Sequence, residues 1–135
     1  MTIRILAVSG SLRAGSSNAG LCRTAARLAP AGVEVEHYEG LGDLAFYNPD
    51  IDEPDHVPAA AARWRAAVAS ADAVVFAVAE YDFGPSAVLK NALDWASRPL
   101  GSAALCSTTD AEIEAPLAAR LANLVGAVSA DAVQP

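Results

Sequence analysis

Apolar and polar positions along this chain alternate between two spacings, one suited to strands and one to helices. Ile3-Arg4-Ile5-Leu6-Ala7-Val8 is a short apolar run with β-branched residues, the pattern of a buried parallel strand. A stretch rich in Ser and Gly, residues 9–18, follows it. Leu21, Ala25 and Leu28 then recur at helical spacing, with Ser16 or Ser17 placed to cap the helix and Pro30 and Gly32 placed to stop it. Val33–Tyr38 alternates Val and Glu, as a second strand with one solvated face does. Gly40–Pro58 reads as a long loop turning at Asn48-Pro49-Asp50. Ala59–Ser70 is predicted as a second helix with Trp64 and Val68 on one face, and Ala73–Val78 as a third buried strand. Glu80–Ser86 is rich in turn residues and is predicted as a loop. Val88–Ala96 is predicted as a third helix with Leu89, Ala92 and Leu93 turned inward.

The β-α-β-α-β-α order predicts an α/β fold, a parallel sheet with helices on both faces. Ligands of such sheets sit outside the carboxyl ends of the strands, where strand order reverses. The loops after strands one and three flank that point, and they are also the most unusual loops in the chain. In the tail, Ala103–Cys106 could form a stub of a fourth strand. Ile113, Leu117, Leu121, Leu124, Val125 and Val128 trace an amphipathic helix, with Pro116 in its first turn or at a kink. The 135 residues suit a single domain spanning residues 1–135.

Composition narrows the picture. A chain that is 53% hydrophobic and 19% charged folds rather than staying disordered. A net charge of -7 disfavours nucleic acid and anionic membranes as partners. No apolar run approaches the ~20 residues of a membrane span, and Ile3–Val8 is too short for a signal peptide. Cys22 and Cys106 stand in no metal or redox spacing. Two free thiols, read as small buried hydrophobes, fit a reducing, cytoplasmic setting.

The first loop carries the main chemical signal. A phosphate monoester has about two negative charges and needs several donors converging without bulk. Gly10 and Gly15 let backbone approach, and Ser11, Ser16 and Ser17 supply hydroxyls. Asn18 sits where helix N–H groups attract anions, and Arg13 adds a fixed positive fork. The loop is neither a Walker A motif nor G-x-G-x-x-G, which disfavours a dinucleotide bound in Rossmann style. The same residues would also serve as an ordinary Ser-capped βα turn.

The second signal is Glu80-Tyr81-Asp82-Phe83-Gly84-Pro85-Ser86, followed by Leu89-Lys90-Asn91-Ala92-Leu93-Asp94-Trp95. Tyr81 and Phe83 can present aromatic groups to a flat ring, and backbone near Glu80–Phe83 can bond a heterocycle's polar edge. For Lys90, Asn91, Asp94 and Trp95, surface charge, capping and core packing are the expected roles.

Together the two segments resemble the NADPH-dependent FMN reductase family, which includes chromate, quinone and azo-dye reductases and has a flavodoxin-like fold. The family signature G-S-L-R-x-x-S-x-N is matched at every specified position by Gly10–Asn18. Its second signature, P-E-Y-N and then L-K-N-A-I-D-W and often S-R-P, is matched by Glu80-Tyr81, by Leu89–Trp95 with Leu for Ile, and by Ser97-Arg98-Pro99. The resemblance covers residues 3 to about 100. It implies a flavodoxin-like three-layer sandwich, truncated to three or four strands instead of five. It implies that Ser11, Arg13, Ser16, Ser17 and Asn18 hold the phosphate of FMN, and that Glu80, Tyr81, Asp82 and Phe83 line the isoalloxazine ring. It further implies NADPH or NADH as reductant, a small-molecule electron acceptor, and a homodimer or homotetramer in which the loop from Gly42 to Asp50 helps form the interface. No residue is assigned as an essential acid or base, because the cofactor carries the chemistry.

The chain also departs from the family pattern. Ala79 replaces the usual proline, Asp82 replaces asparagine, and Ser86-Ala87 stands where Pro-Gly is common. A carboxylate at position 82 near the ring would disfavour an anionic reduced flavin and lower its potential. The resemblance implies at least one missing βα unit, about 30 residues or more, whose loop Ser107-Thr108-Thr109 could replace if Ala103–Cys106 forms a strand. Two other readings follow: an inactive flavin- or partner-binding paralogue, and a phosphate-ligand module without redox function.

Overall fold

A computed structural model describes residues 1–98. Strand β1 (Ile3–Ser9) lies at the centre of a parallel sheet, with β2 (Val33–Tyr38) on one side and β3 (Ala73–Ala77) on the other. Helix α1 (Ser17–Arg27) covers one face, and α2 (Ala59–Ser70) and α3 (Ala87–Ala96) cover the other. The predicted three-layer α/β arrangement is therefore present. The expected strand stub at Ala103–Cys106 and the helix from Ile113 to Val128 lie outside the described residues.

β1 is apolar on both sides because it is buried on both sides. Leu6 and Val8 point into a core with Trp64, Val68, Ala92 and Trp95. Ile3, Ile5 and Ala7 point the other way, towards Cys22 and Ala25 of α1. The small α1 residues keep that helix close to the sheet. Leu21 does not share this face: it is 44% exposed, and the neighbouring Cys22 takes the inward position. Burial raises the pKa of the Cys22 thiol, so it stays protonated and unreactive.

The third strand is less buried than its apolar sequence predicts. It ends at Ala77 and pairs with β1 alone among the described residues, leaving Val75 38% and Val78 52% exposed. At the opposite edge, exposed Glu34 and Glu36 charge the face of β2, a pattern that discourages further strand pairing.

The long connection from β2 to α2 is held by residues far downstream. Leu41 and Leu44 insert into the Trp64–Trp95 core. Asn91 accepts from the Tyr47 N–H at 2.8 Å and donates to the Ala45 carbonyl at 2.9 Å. Trp95 Nε1 donates to the same carbonyl at 2.8 Å, and Trp64 Nε1 donates to Ala92 O at 2.7 Å. The expectation that Asn91 and Trp95 have structural jobs is met in these bonds. Lys90 and Asp94 form a surface ion pair one helical turn apart. Gly40 makes room for Tyr38, whose ring packs 5.0 Å from Trp64: a Cβ at position 40 would stand 2.7 Å from the Tyr38 hydroxyl.

A bidentate pair closes this layer. Arg65 Nη1 and Nη2 each donate to Asp52 at 2.7 Å, Arg65 Nε donates to Trp95 O at 2.8 Å, and the guanidinium lies 5.2 Å from the Trp95 ring centre. The Arg65 hydrogen bonds hold the Asp52 carboxyl below its ordinary pKa, outweighing the opposing effect of burial. A carboxylate with a depressed folded pKa stabilises the fold above its unfolded pKa, and that contribution fades as pH falls through the folded value. Asp52→Asn should therefore lower stability by about 1–3 kcal/mol at neutral pH. In urea unfolding at a series of pH values, the difference from wild type should shrink as the medium is made more acidic than the ordinary aspartate range.

Candidate functional site

The sheet order β2-β1-β3 means the chain leaves β1 towards one side for β2 and crosses to the other for β3. A crevice is expected outside the carboxyl ends of β1 and β3, where the order reverses. The pairing of Ser9 with Ala77 brings the first loop and the Glu80–Ser86 segment out of the sheet side by side.

The two segments are tied at one junction. Gly10 N donates to Ala77 O at 2.9 Å, and a Cβ on Gly10 would stand 3.1 Å from Ala79 N and 3.4 Å from Leu89 Cδ2. Glycine is required here for close approach. Ser86 Oγ donates to Gly10 O at 2.5 Å and accepts from Leu89 N at 3.3 Å, capping α3. Ser86 N donates to Ala79 O at 2.9 Å. One buried serine thus joins the first loop, the second loop and the start of α3.

Hydroxyls organise the first loop from within. Ser11 N donates to Ser9 Oγ, Arg13 N donates to Ser11 Oγ, and Ser16 N donates to Arg13 O at 2.9 Å. Ser16 is buried and caps α1, accepting from Ala19 N at 3.3 Å. Ser17 and Asn18 open the helix, and their N–H groups have no acceptor among the described residues. Arg13 is exposed and folds over Gly15, where a Cβ would stand 3.3 Å from Nη1. Free helix N–H groups, exposed Ser17 and a nearby guanidinium make a donor set suited to a phosphate.

The second segment is not the irregular loop its composition predicts. Glu80–Tyr81 (β4) and Gly84–Pro85 (β5) pair antiparallel around a two-residue turn. Both turn residues adopt left-handed backbone, Asp82 at φ 51° and Phe83 at φ 61°. This is the conformation that two-residue hairpins use to match strand twist, and it favours Gly or Asn. Asp tolerates it, whereas Phe there is strained. The Phe83 N–H donates to the Glu80 carboxylate at 2.6 Å, which holds the turn. Tyr81 is 64% and Phe83 99% exposed, so both aromatics stand clear above the end of β3.

A cleft opens on the other flank of the first loop, towards β2. Ser11, Arg13, Arg23, His37, Tyr38 and Leu41 contribute to its wall, whereas Ser16, Ser17, Asn18 and Glu80–Phe83 do not. Arg23 and His37 carried no recognisable signal in the sequence, because each falls inside a regular element outside the loop motifs. Among the described residues, no group of three His, Cys, Asp or Glu could hold a metal ion, and no helix is long and apolar enough to cross a membrane.

Two substitutions test this geometry. Ser86→Ala removes a helix cap and leaves the Gly10 carbonyl without its donor, so it should destabilise the chain by about 2 kcal/mol in urea unfolding. Phe83→Gly relieves a left-handed φ without losing buried surface, and should stabilise it by about 1 kcal/mol in the same measurement.

The sequence profile of the NADPH-dependent FMN reductase family matches residues 3–132. A probable NADPH:quinone oxidoreductase 2 of Oryza sativa subsp. japonica is 43% identical over 100 residues, covering 72% of this chain and 49% of the relative. A NAD(P)H-dependent FMN reductase of Pseudomonas aeruginosa is 41% identical over 97 residues, covering 72% of this chain and 51% of the relative. Among solved structures, FerB of Paracoccus denitrificans, a flavoenzyme NAD(P)H:(acceptor) oxidoreductase, superposes with a TM-score of 0.65 at 31% identity. It aligns with 76% of this chain and 55% of its own. The chain spans about half the length of the curated relatives it matches.

Proposed function

The chain belongs to the NADPH-dependent FMN reductase family, and on that premise we propose that it binds FMN across the carboxyl ends of β1 and β3 and passes electrons from NAD(P)H to a small acceptor. The acceptor class is a quinone, a free flavin, a metal oxyanion or an azo compound. The observation that carries this reading is the junction at Gly10 and Ser86, which sets a phosphate-suited loop beside two exposed aromatics.

In this reading Ser11, Arg13, Ser17 and Asn18 hold the phosphate by side chain and free N–H, and Ser16 fixes the helix end that supplies those N–H groups. Glu80 holds the hairpin turn, and Tyr81, Asp82 and Phe83 line the ring. FMN, when bound, supplies the hydride-accepting and electron-donating chemistry. The protein contributes binding, stacking area and electrostatics. Asp82 sets a carboxylate at the hairpin tip, which disfavours negative charge on a ring placed there. No essential acid or base is assigned. The chain works as a cytoplasmic, single-domain protein over residues 1–135 and assembles as a homodimer or homotetramer.

A second reading is a catalytically inactive flavin- or partner-binding paralogue. Two measurements separate them. A flavin absorption band retained after adding FMN and desalting, followed by FMN-dependent NADPH oxidation, supports the enzyme. A retained band without NADPH oxidation favours the passive binder, and a colourless protein removes FMN binding altogether.

The phosphate assignment has its own test. Arg13→Ala should weaken FMN about tenfold or more, on the scale of a lost charge-assisted hydrogen bond, while riboflavin affinity changes little. Flavin fluorescence quenching reads both, and an equal loss for the two ligands would overturn the assignment.

A further inference from the structure

The flank of the first loop facing β2 has a chemistry of its own. Arg13 and Arg23 both line the cleft there, and neither guanidinium forms a hydrogen bond or ion pair with a described residue. Arg13 reaches it by folding over Gly15. Arg23 reaches it because helix side chains lean towards the N-terminus: its Nη2 lies 4.0 Å from where a Cβ on Gly20 would stand, one turn nearer the loop. His37 adds a partly buried imidazole, and the acidic lining residue, Glu39, approaches His37 Nδ1 at 3.6 Å. Tyr38, Leu12 and Leu41 give the cleft an apolar side. In a chain of net charge -7, two guanidinium groups left unneutralised in one concave wall form a local positive site against the overall field.

We propose that this cleft is a second anion subsite that takes a phosphate monoester between Arg13 and Arg23. Guanidinium forks suit such a group, offering paired N–H donors to its oxygens. The subsite shares Arg13 with the proposed flavin-phosphate set but not the donor set at Ser17 and Asn18, which does not line the cleft, so Arg23 is the residue that tests it separately. It rests on the proposed function only in assigning that donor set to the flavin phosphate, so that both anions can be held together. The monoester has two possible sources, free phosphate and the ribose 2′-phosphate that distinguishes NADPH from NADH.

The test is isothermal titration of the FMN-loaded protein with inorganic phosphate, 5′-ADP and 2′,5′-ADP, with FMN affinity measured separately by fluorescence quenching. Arg23→Gln should weaken phosphate-ligand binding about tenfold or more and move FMN affinity less than twofold, while Arg23→Lys retains most of the binding. Arg23 is exposed, so neither substitution threatens the core. Tighter binding of 2′,5′-ADP than of 5′-ADP supports the subsite and assigns it to the 2′-phosphate. Equal binding of all three, still dependent on Arg23, supports it as a site for free phosphate. Binding unaffected by Arg23→Gln, the absence of binding at millimolar ligand, or displacement of FMN by these anions would overturn the proposal. Should the chain hold no FMN, the same titration on the flavin-free protein still reads the dependence on Arg23, so failure of the flavin reading and of this one remain distinct.

Discussion

Gly10 and Ser86 meet where the ends of two parallel strands come too close for a side chain to pass between them. A Cβ on Gly10 would press on the Ala79 backbone, and the Ser86 hydroxyl fills the remaining polar need by donating to the Gly10 carbonyl. The first loop, the hairpin and α3 take their positions from this contact. It is a buried hydrogen bond between residues 76 positions apart, and a buried carbonyl stripped of its donor is costly. The loops that would meet a ligand are therefore placed by the sheet and α3 rather than by each other, the arrangement that keeps a binding site rigid while its tips stay exposed.

The two faces of the sheet are built differently. On the α1 side, Ala7, Cys22, Ala25 and Ala77 let a helix sit close with little bulk. On the other side, Trp64 and Trp95 fill the volume and spend their indole N–H groups on backbone carbonyls of α3 and the long loop. A buried Trp needs such a partner, and here that need also anchors irregular backbone. Of the aromatic residues left outside, Tyr81 and Phe83 stand on the hairpin at the proposed ligand end, and Phe46 lies on the long loop.

Much of this was legible in the sequence. The alternation of apolar runs and helical spacing predicted the three parallel strands and three helices that are present. Ser16, one of the two predicted caps of α1, is the residue that caps it. Other features were hidden for physical reasons. Leu21 and Cys22 are adjacent apolar residues on a small helix, and periodicity alone could not choose which faced the sheet. Ala73–Val78 has the composition of a central strand, yet its exposure depends on neighbours that composition does not encode. The hairpin at Asp82-Phe83 lacked the Gly that usually marks such a turn, so its sharpness was concealed. Arg23 sits on a helix with no motif around it and acquires meaning only where its side chain reaches the first loop.

The long loop between β2 and α2 carries a consequence for how the chain acquires its structure in time. Its fastenings at Leu44, Ala45 and Tyr47 reach Asn91 and Trp95 across 44 to 50 positions of sequence. Contacts of such separation must wait for the entropy of closing a large loop to be overcome. β1, α1 and β2 are contiguous and can pair early, whereas the long-range hydrogen bonds of residues 44–47 cannot form until α3 has docked. Folding should thus run from the α1 side of the sheet towards the tryptophan side, and the segment that precedes α2 in the sequence should be among the last to settle.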